Sequence, residues 1–148
     1  EALDEALTAG VAVWMMPLVD LYKESSPRRR AEMMTAGLRG HLQPMTIEED
    51  EDKVTVMMHP CGSGARLLSD GSYDAPRNFL KVAKAQRMTY GREDFPVYCA
   101  HCAFQEIVPI QAGENPPFVL EPAEKLGEEP CRFVLSKGDG AGGETEAK

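Results

Sequence analysis

The cysteines and histidines are the feature that most restricts how this chain can fold. Four cysteines and two of the three histidines lie in three short segments: His59-Pro60-Cys61, Cys99-Ala100-His101-Cys102 and Cys131. The 37 residues between Cys61 and Cys99, and the 28 between Cys102 and Cys131, do not match the spacing of a compact zinc finger. A fold that uses these side chains together must bring three remote segments to one point.

The residue types in these segments predict a metal site. Thiolate and imidazole are the preferred ligands of zinc, and a Cys-x-x-Cys pair can supply two sulfurs to one ion. The expected metal ligands are Cys61, Cys99, Cys102 and Cys131. The two histidines, His59 and His101, are substitute ligands. An iron–sulfur cluster uses the same number of cysteines and is the alternative cofactor. The plainer interpretation is that some of these cysteines are small buried apolar residues.

A catalytic interpretation assigns chemistry to the residues beside the metal. His101 and His59 are the candidate acid/base residues, and Cys61 is the candidate nucleophile or exchangeable ligand. The loop Gly62-Ser63-Gly64 could present backbone amides to an anionic substrate, so Ser63 and Arg66 are the candidate substrate-binding residues. Four protein ligands would indicate a closed structural site, whereas three ligands and a water would indicate catalysis.

A third interpretation treats Cys99 and Cys102 as a redox pair. A Cys-x-x-Cys at a helix N-terminus has a lowered thiol pKa, and the run from Phe95 to Cys102 resembles the active site of thioredoxin-like oxidoreductases. That fold needs more β/α structure after the motif than the sequence offers. The thiol-disulfide oxidoreductase therefore stays the second alternative.

The hydrophobic pattern predicts a single α+β domain over residues 1–137, with helices at the N-terminus and a small antiparallel sheet. Apolar residues at helical spacing predict a helix over 2–24, kinked at Pro17, and a second helix that starts at Ser26-Pro27 and carries Met33, Met34 and Leu38. Met15, Met16, Met33 and Met34 are expected in the core, with a ligand pocket as the alternative. The arginines at 28–30 are expected on a solvated face.

Later segments are expected to alternate between strands, helices and loops. Strands are predicted at Val54–Met58, Arg66–Leu68, Phe118–Glu121 and Cys131–Leu135, helices at Pro76–Met88 and after Cys99, and a surface loop at Glu48–Asp52. The last two strands form a closing hairpin. Residues 138–148 are rich in Gly and Glu without a large apolar side chain, which predicts a disordered tail.

The charge balance limits the possible partners. With 16 Lys and Arg against 24 Asp and Glu, the net charge of −8 argues against nucleic acid as a partner. The longest apolar run, Val11 to Val19, is shorter than the roughly 20 residues of a membrane helix and contains Pro17. We therefore expect a cytoplasmic protein without a membrane partner, and a homodimer is compatible with the sequence.

The C-terminal third of the chain shows a pattern that goes beyond the cysteines. Tyr98-Cys99, a helix, Gly113, a strand ending at Glu121, Gly127 and a last strand Cys131-Arg132-Phe133 together resemble the four-vinyl-reductase domain superfamily, which includes the sensor domains of aromatic-responsive activators. Related hydrolases of amino-thiazoline carboxylates end in the same way.

This resemblance implies both a fold and a function. It implies a metal-stapled C-terminal helix and hairpin, with Cys99, Glu121 and Cys131 as zinc ligands. The remaining cysteine of the family falls at Glu124, so Cys102 or Cys61 would supply the fourth ligand. The implied function is a zinc-binding domain with an apolar pocket for a small apolar or aromatic molecule. The alternative is a metal- or thiol-dependent hydrolase or lyase that uses His101 and Cys61.

Overall fold

The chain folds into a mixed α+β structure, as the hydrophobic pattern predicted. The computed structural model describes residues 2–138. The helices are α1 (Ala2–Lys23), α2 (Pro27–Leu38), α3 (Gly64–Ser69) and α4 (Val97–Gln111). The strands are β1 (Met45–Glu49), β2 (Lys53–Met58), β3 (Lys81–Val82), β4 (Phe95–Pro96), β5 (Val119–Glu121) and β6 (Cys131–Ser136). The disordered tail predicted from residue 138 onward lies, apart from Gly138, outside the described residues.

Four strands form an antiparallel sheet that sets the position of one cysteine. The strand order is β1-β2-β6-β5, so the predicted C-terminal hairpin is confirmed and β6 lies in the middle of the sheet beside β2. Met58 at the end of β2 pairs with Cys131 at the start of β6. The loop that follows β2 therefore leaves the sheet at the same end where Cys131 enters it.

The helices cover the sheet and complete the core. Helix α1 packs along α4, while α2 and α4 contact the strands. On α4 the buried residues Ala103, Phe104, Ile107 and Val108 form one stripe, as an amphipathic helix requires. Phe104 and Met15 are completely buried where α4 meets α1. The core is therefore continuous from the N-terminal helix to the sheet.

Helix α2 begins where its capping residues predicted. Ser26 is the N-cap, its side-chain oxygen accepts a hydrogen bond from the backbone N–H of Arg29 at 3.3 Å, and Pro27 occupies the first turn. The expectation that all three arginines at 28–30 are solvated is wrong for Arg30, which is 6% exposed. Its position on the α2 face that turns toward the sheet explains this burial, because Ala31 and Met34 share that face.

Two segments differ from the sequence prediction: a predicted strand is helical, and a predicted helix does not form. Arg66–Leu68 is not a strand but part of α3, in which the N–H of Leu67 bonds to the carbonyl of Ser63. Residues 76–88 do not form a helix: β3 pairs with β4, and a short 3-10 turn follows at Arg87–Thr89. Leu80 is 77% exposed, so this segment has no buried stripe to support a helix.

The acidic stretch at 48–52 is only partly a loop. Glu48 and Glu49 belong to β1, which is an edge strand with an exposed face, and the turn begins at Asp50. Charged residues are suited to an edge strand because they discourage pairing with another chain. A strand at Met45–Glu49 was not predicted, since its alternation is masked by the run of acids.

Helix α1 is long and apolar enough, by length and composition alone, to cross a membrane, with a mean hydropathy of 1.4 over its best window. The run Val11–Val19, on which the sequence prediction rested, is too short for a membrane helix, whereas the whole of α1 is long enough. A core helix and a signal sequence satisfy the same criterion. In this fold Val11, Met15, Val19 and Tyr22 are buried in the core. The cytoplasmic localisation stays a prediction.

Candidate functional site

All four cysteines line one small cavity. Cys61 comes from the loop between β2 and α3, Cys99 and Cys102 from the first turns of α4, and Cys131 from the first residue of β6. The cavity has a volume of about 30 Å³, which suits a water molecule or a single ion. The tertiary structure thus brings together the three segments that the sequence singled out.

Two backbone features bring the sulfurs to this point. Cys99 and Cys102 are three residues apart on α4, so their side chains share one face of the helix. The loop after Cys61 runs close to its neighbours: a Cβ on Gly64 would lie 2.6 Å from the Sγ of Cys99, and one on Gly62 would overlap the carbonyl oxygen of His41. A side chain at position 62 would therefore collide with backbone, and one at position 64 would displace the Cys99 sulfur.

Polar groups lie within hydrogen-bond distance of two of the sulfurs. The Oγ of Ser63 lies 3.0 Å from the Sγ of Cys61, and the backbone N–H of Ala123 donates to the Sγ of Cys131 at 3.4 Å. Arg92 supports the second contact, because its guanidinium donates to the carbonyl of Ala123 at 2.6 Å and so holds that turn in place. Hydrogen bonds of this kind stabilise thiolates and are typical of metal–sulfur sites.

Burial favours the protonated thiol at three of the four cysteines, Cys99, Cys102 and Cys131. It raises the pKa of Cys99 to about 12 and also raises the pKa of Cys102 and Cys131, and each neighbouring cysteine adds repulsion between thiolates. This direction is opposite to the lowered pKa that a redox-active Cys-x-x-Cys requires. The lowered thiol pKa expected for a redox pair is therefore not found at Cys99 or Cys102, and the thiol-disulfide oxidoreductase stays an alternative prediction.

The hydroxyl of Tyr90, at the same cavity, is buried and has no hydrogen-bond acceptor among residues 2–138. Burial, together with the neighbouring Cys102 and Glu106, raises the pKa of Tyr90, so its O–H stays a donor. A thiolate would be a suitable acceptor, whereas a neutral thiol is a weak one.

The four cysteines line the cavity, but their sulfurs do not have the arrangement of a metal-coordination site. Across residues 2–138, no three side chains of the His, Cys, Asp or Glu type are grouped closely enough to hold a metal ion as they stand. The metal-stapled C-terminal helix and hairpin is therefore not supported. Instead, apolar packing holds α4 against the sheet, with Phe104, Leu120 and Phe133 in one core cluster.

A larger apolar cavity adjoins the cysteines. It has a volume of about 340 Å³, at the lower end of the range for ligand pockets. Its apolar wall is made by Trp14, Leu18, Met33, Met34, Phe118 and Phe133. Cys61, His101 and Cys102 line both cavities, and among residues 2–138 no Asp, Glu, Lys or Arg lines the larger one. Of the methionines considered for a pocket, Met33 and Met34 line it, while Met15 is a core residue.

His101 has a defined orientation between the two cavities. Its Nδ1–H donates to the carbonyl oxygen of Tyr98, and its Nε2 lies 3.7 Å from the Sγ of Cys102. Burial lowers the pKa of His101, which favours the neutral imidazole. Neutral Nε2 is an acceptor and can also bind a metal ion. His41, to which the sequence assigned no role, lines the larger cavity as well, since the turn after α2 brings it there.

The remaining candidates lie at or beyond the edge of the site. Ser63 lines both cavities, whereas Arg66 lines a neighbouring surface cleft beside Ser63 and His41. His59 lines neither of the two cavities, and its Nε2 is buried without a hydrogen-bond partner in the described chain. Glu121 is exposed on β5 and lines neither cavity.

Sequence reasoning missed Arg92 and Tyr90. Both follow the 3-10 turn at Arg87–Thr89, in a segment where the sequence predicted the end of a helix and a loop. The local signal in the sequence is Gly91 next to Tyr90, since glycine favours tight turns, and the structure gives Gly91 a positive φ. Neither residue type is a metal ligand in the usual pattern, so the spacing of the cysteines could not reveal them.

Comparisons with known proteins identify no relative: no family model, no curated protein and no solved structure matches this chain. The resemblance to the four-vinyl-reductase superfamily therefore finds no support outside the residues that suggested it. The exposed position of Glu121 removes one of the zinc ligands that the resemblance implied.

Proposed function

We propose that this protein is a zinc-binding small-molecule-binding domain, in which Cys61, Cys99, Cys102 and Cys131 hold the ion and the adjoining cavity holds an uncharged apolar or aromatic molecule. The observation that carries the proposal is the convergence of four cysteines from remote segments on one cavity, which shares a wall with a larger apolar cavity. If the cysteines served only as small apolar residues, packing alone would not require all four to line the same cavity.

The surroundings of the sulfurs support a cation. Thiolates in this position would accept hydrogen bonds from the Ser63 hydroxyl and the Ala123 N–H, and the unpartnered Tyr90 hydroxyl is a further donor on the same cavity wall. Without a cation, burial of several thiolates is unfavourable, as the raised pKa of Cys99 indicates. Zinc would supply the missing positive charge, and the cysteine side chains would have to rotate to bring the sulfurs to the roughly 2.3 Å that zinc–sulfur bonds require. The volume of about 30 Å³ favours one ion over an iron–sulfur cluster.

The lining of the larger cavity supports an uncharged ligand. Aromatic and methionine side chains form most of its wall, and the polar groups, among them His41, His101 and Ser63, are neighbours of the cysteines. A ligand that filled this cavity would contact two of the sulfurs, Cys61 and Cys102. Metal binding would therefore shape one wall of the ligand site.

The metal is tested by its stoichiometry and by its effect on the thiols. Protein purified under reductant without added metal should contain about one zinc per chain, and chelation should expose thiols that were protected before. Cys99→Ser and Cys131→Ser should lose zinc and thermal stability together, because the binding free energy of a structural ion becomes folding free energy. Normal stability of both variants, or protein that binds no zinc on titration, would refute the proposal.

Ligand binding is tested through Trp14, the single tryptophan of the chain, which lines the cavity. Bromobenzene should quench its fluorescence with a saturable dependence, whereas 2-bromoethanol should quench it only by collision, with a linear dependence. Met33→Glu places a charge on the wall and should abolish the saturable part. Val13→Glu on the exposed side of α1 is the matched control and should preserve it. Linear quenching by both compounds would refute an apolar ligand site.

A metal-dependent enzyme is the second candidate function. The observation that favours it is the position of His101 and Cys61 on the boundary of both cavities, where an acid/base residue or an exchangeable ligand could meet a bound molecule. Zinc coordination, measured by X-ray absorption, distinguishes the two functions. Four sulfur ligands support a binding domain, whereas three protein ligands with a water support catalysis.

A further inference from the structure

Arg30 is a buried cation far from the cysteines. Its side chain is on α2, and the residue is only 6% exposed. One amino group of the guanidinium, Nη2, donates to the carbonyl of Ser136 at 3.1 Å, while the buried Nε has no hydrogen-bond partner within residues 2–138. Burying an arginine in this way is unfavourable unless an anion compensates its charge.

The neighbouring residues do not supply that anion. Of the described residues, none places a carboxylate in salt-bridge contact with Arg30. Tyr22 is close enough to feel the charge of Arg30, yet burial raises the pKa of Tyr22 to about 12, so its hydroxyl is neutral at pH 7. The positive charge of Arg30 is therefore uncompensated within this part of the chain.

Arg30 lines a cavity that is large enough for a small molecule. The cavity has a volume of about 380 Å³ and lies between α1, α2 and the loop after α4, where Asn115, Pro116 and Pro117 form one wall. Lys23 and Glu114 line it too, but they pair with each other at 2.6 Å, so their charges cancel. Among residues 2–138, one net positive charge, that of Arg30, remains beside the cavity.

We propose that this cavity is a binding site for a small-molecule monocarboxylate, with Arg30 as its counterion. A single uncompensated guanidinium matches one negative charge, and arginine is the side chain best suited to a planar carboxylate. Tyr22 and Asn115 are further residues with polar groups that line the cavity. The site is separate from the cysteine cavity and does not depend on zinc.

The experiment is a titration of the full chain with isobutyrate at constant ionic strength, followed by NMR of the arginine Nε–Hε signals. We expect a saturable shift of the Arg30 signal. Isobutyramide, which has the same shape without the charge, should cause none. Arg30→Gln should weaken isobutyrate binding at least tenfold, measured by the increase of Tm with ligand concentration, and Arg30→Lys should keep more of the affinity.

Arg29→Gln is the matched control, because Arg29 is the preceding residue of the same helix but is exposed and pairs with Glu32. It should change the affinity for isobutyrate less than twofold. Because the NMR titration uses the unaltered protein, the proposal stays testable even if Arg30→Gln does not fold.

Four results would overturn the proposal, and the first three concern the response of Arg30 to isobutyrate. These three are an Arg30 signal that does not respond to isobutyrate, an equal response to isobutyramide, and unchanged affinity in Arg30→Gln. A fourth concerns the acidic residues Asp139, Glu144 and Glu146, which follow the described residues in sequence. If isobutyrate binds only after these three are neutralised as Asn, Gln and Gln, the carboxylate at Arg30 belongs to the chain itself and the small-molecule site is refuted.

Discussion

Gly64 lies directly against Cys99, and the sulfur occupies the space that a side chain at position 64 would need. A Cβ built on Gly64 would come within 2.6 Å of the Cys99 Sγ. The loop that carries Cys61 therefore approaches α4 as closely as it does only because residue 64 has no side chain. This contact links two of the three cysteine segments.

Gly64→Ala should push Cys99 out of its place. We expect a loss of about 1–3 kcal/mol in the free energy of unfolding, as for other overpacked positions, together with weaker zinc binding. Urea unfolding and competitive zinc titration are the measurements. Gly37→Ala is the control, since a Cβ there meets no atom within 4 Å, and it should be neutral or stabilising. Equal zinc affinity in Gly64→Ala and the wild type would contradict the prediction.

Arg92 should act on the metal through the turn that it holds. Arg92→Met removes hydrogen bonds to the carbonyls of Ala123 and Glu124 and frees the N–H that points at Cys131. We expect zinc affinity to fall by about 10–100-fold, as for other residues that orient metal ligands. Arg132→Met is the control: Arg132 is beside Cys131 in sequence but exposed, so its loss should change affinity little. A comparable loss in both variants would indicate a general charge effect.

Phe104 should dominate the stability of the helical layer. It is completely buried on α4, and Phe104→Ala should lower the free energy of unfolding by about 3–5 kcal/mol through lost burial and the cavity left behind. Ile110→Ala on the exposed side of the same helix should cost far less. Chemical denaturation of both variants tests this. An equal loss of unfolding free energy in the two variants would contradict the prediction that Phe104 is a principal core residue.

Glu106 should make stability depend on pH. Burial raises the pKa of its carboxyl, although the N–H of Leu120 donates to it at 2.7 Å. A carboxyl with a raised folded-state pKa contributes stability that is complete below its unfolded pKa and is lost as the pH rises through the folded value. Glu106→Gln keeps an acceptor for Leu120 and removes the buried charge, so it should be more stable than the wild type at pH 7.

The gain in Glu106→Gln should shrink as the pH falls toward 4, where the wild-type carboxyl is itself neutral. Urea unfolding at pH 4, 5.5 and 7 measures this, in metal-free protein under reductant. Glu32→Gln is a suitable contrast, because ion pairing with Arg28 and Arg29 lowers the pKa of that exposed carboxyl. A gain that is independent of pH would show that the charge of Glu106 is not the cause.

Elements with strong local signals were predictable. Three elements form where local sequence patterns predicted them. These patterns are the N-cap Ser26 with Pro27 for α2, the helical stripe of α1 and the β-branched run of β2. Predictions failed where local patterns were ambiguous. Arg66–Leu68 has three residues with no neighbouring strand to pair with, so a helical turn that closes its own hydrogen bonds is more favourable.

The candidate site also contains some residues that the sequence could predict and others that it could not. Its cysteines and His101 could be selected from residue chemistry, because thiols and imidazoles in clusters are rare outside metal and redox sites. The supporting residues could not. Tyr90 and Arg92 reach the cavity through a turn, and His41 reaches the apolar pocket through the end of α2. Their roles arise from contacts between segments that are remote in sequence.

The sequence by itself determined the α+β class, the two N-terminal helices, the closing hairpin and which residues are candidates for metal chemistry. Helical periodicity, capping and strand propensity are local properties, so they can be read along the chain. Only the tertiary structure decided that β2 pairs with β6, that all four cysteines line one cavity beside an apolar pocket, and that Arg30 is buried while Arg29 is not. Burial and long-range contact depend on how the elements pack, and the surface that each element covers is not encoded in any one segment.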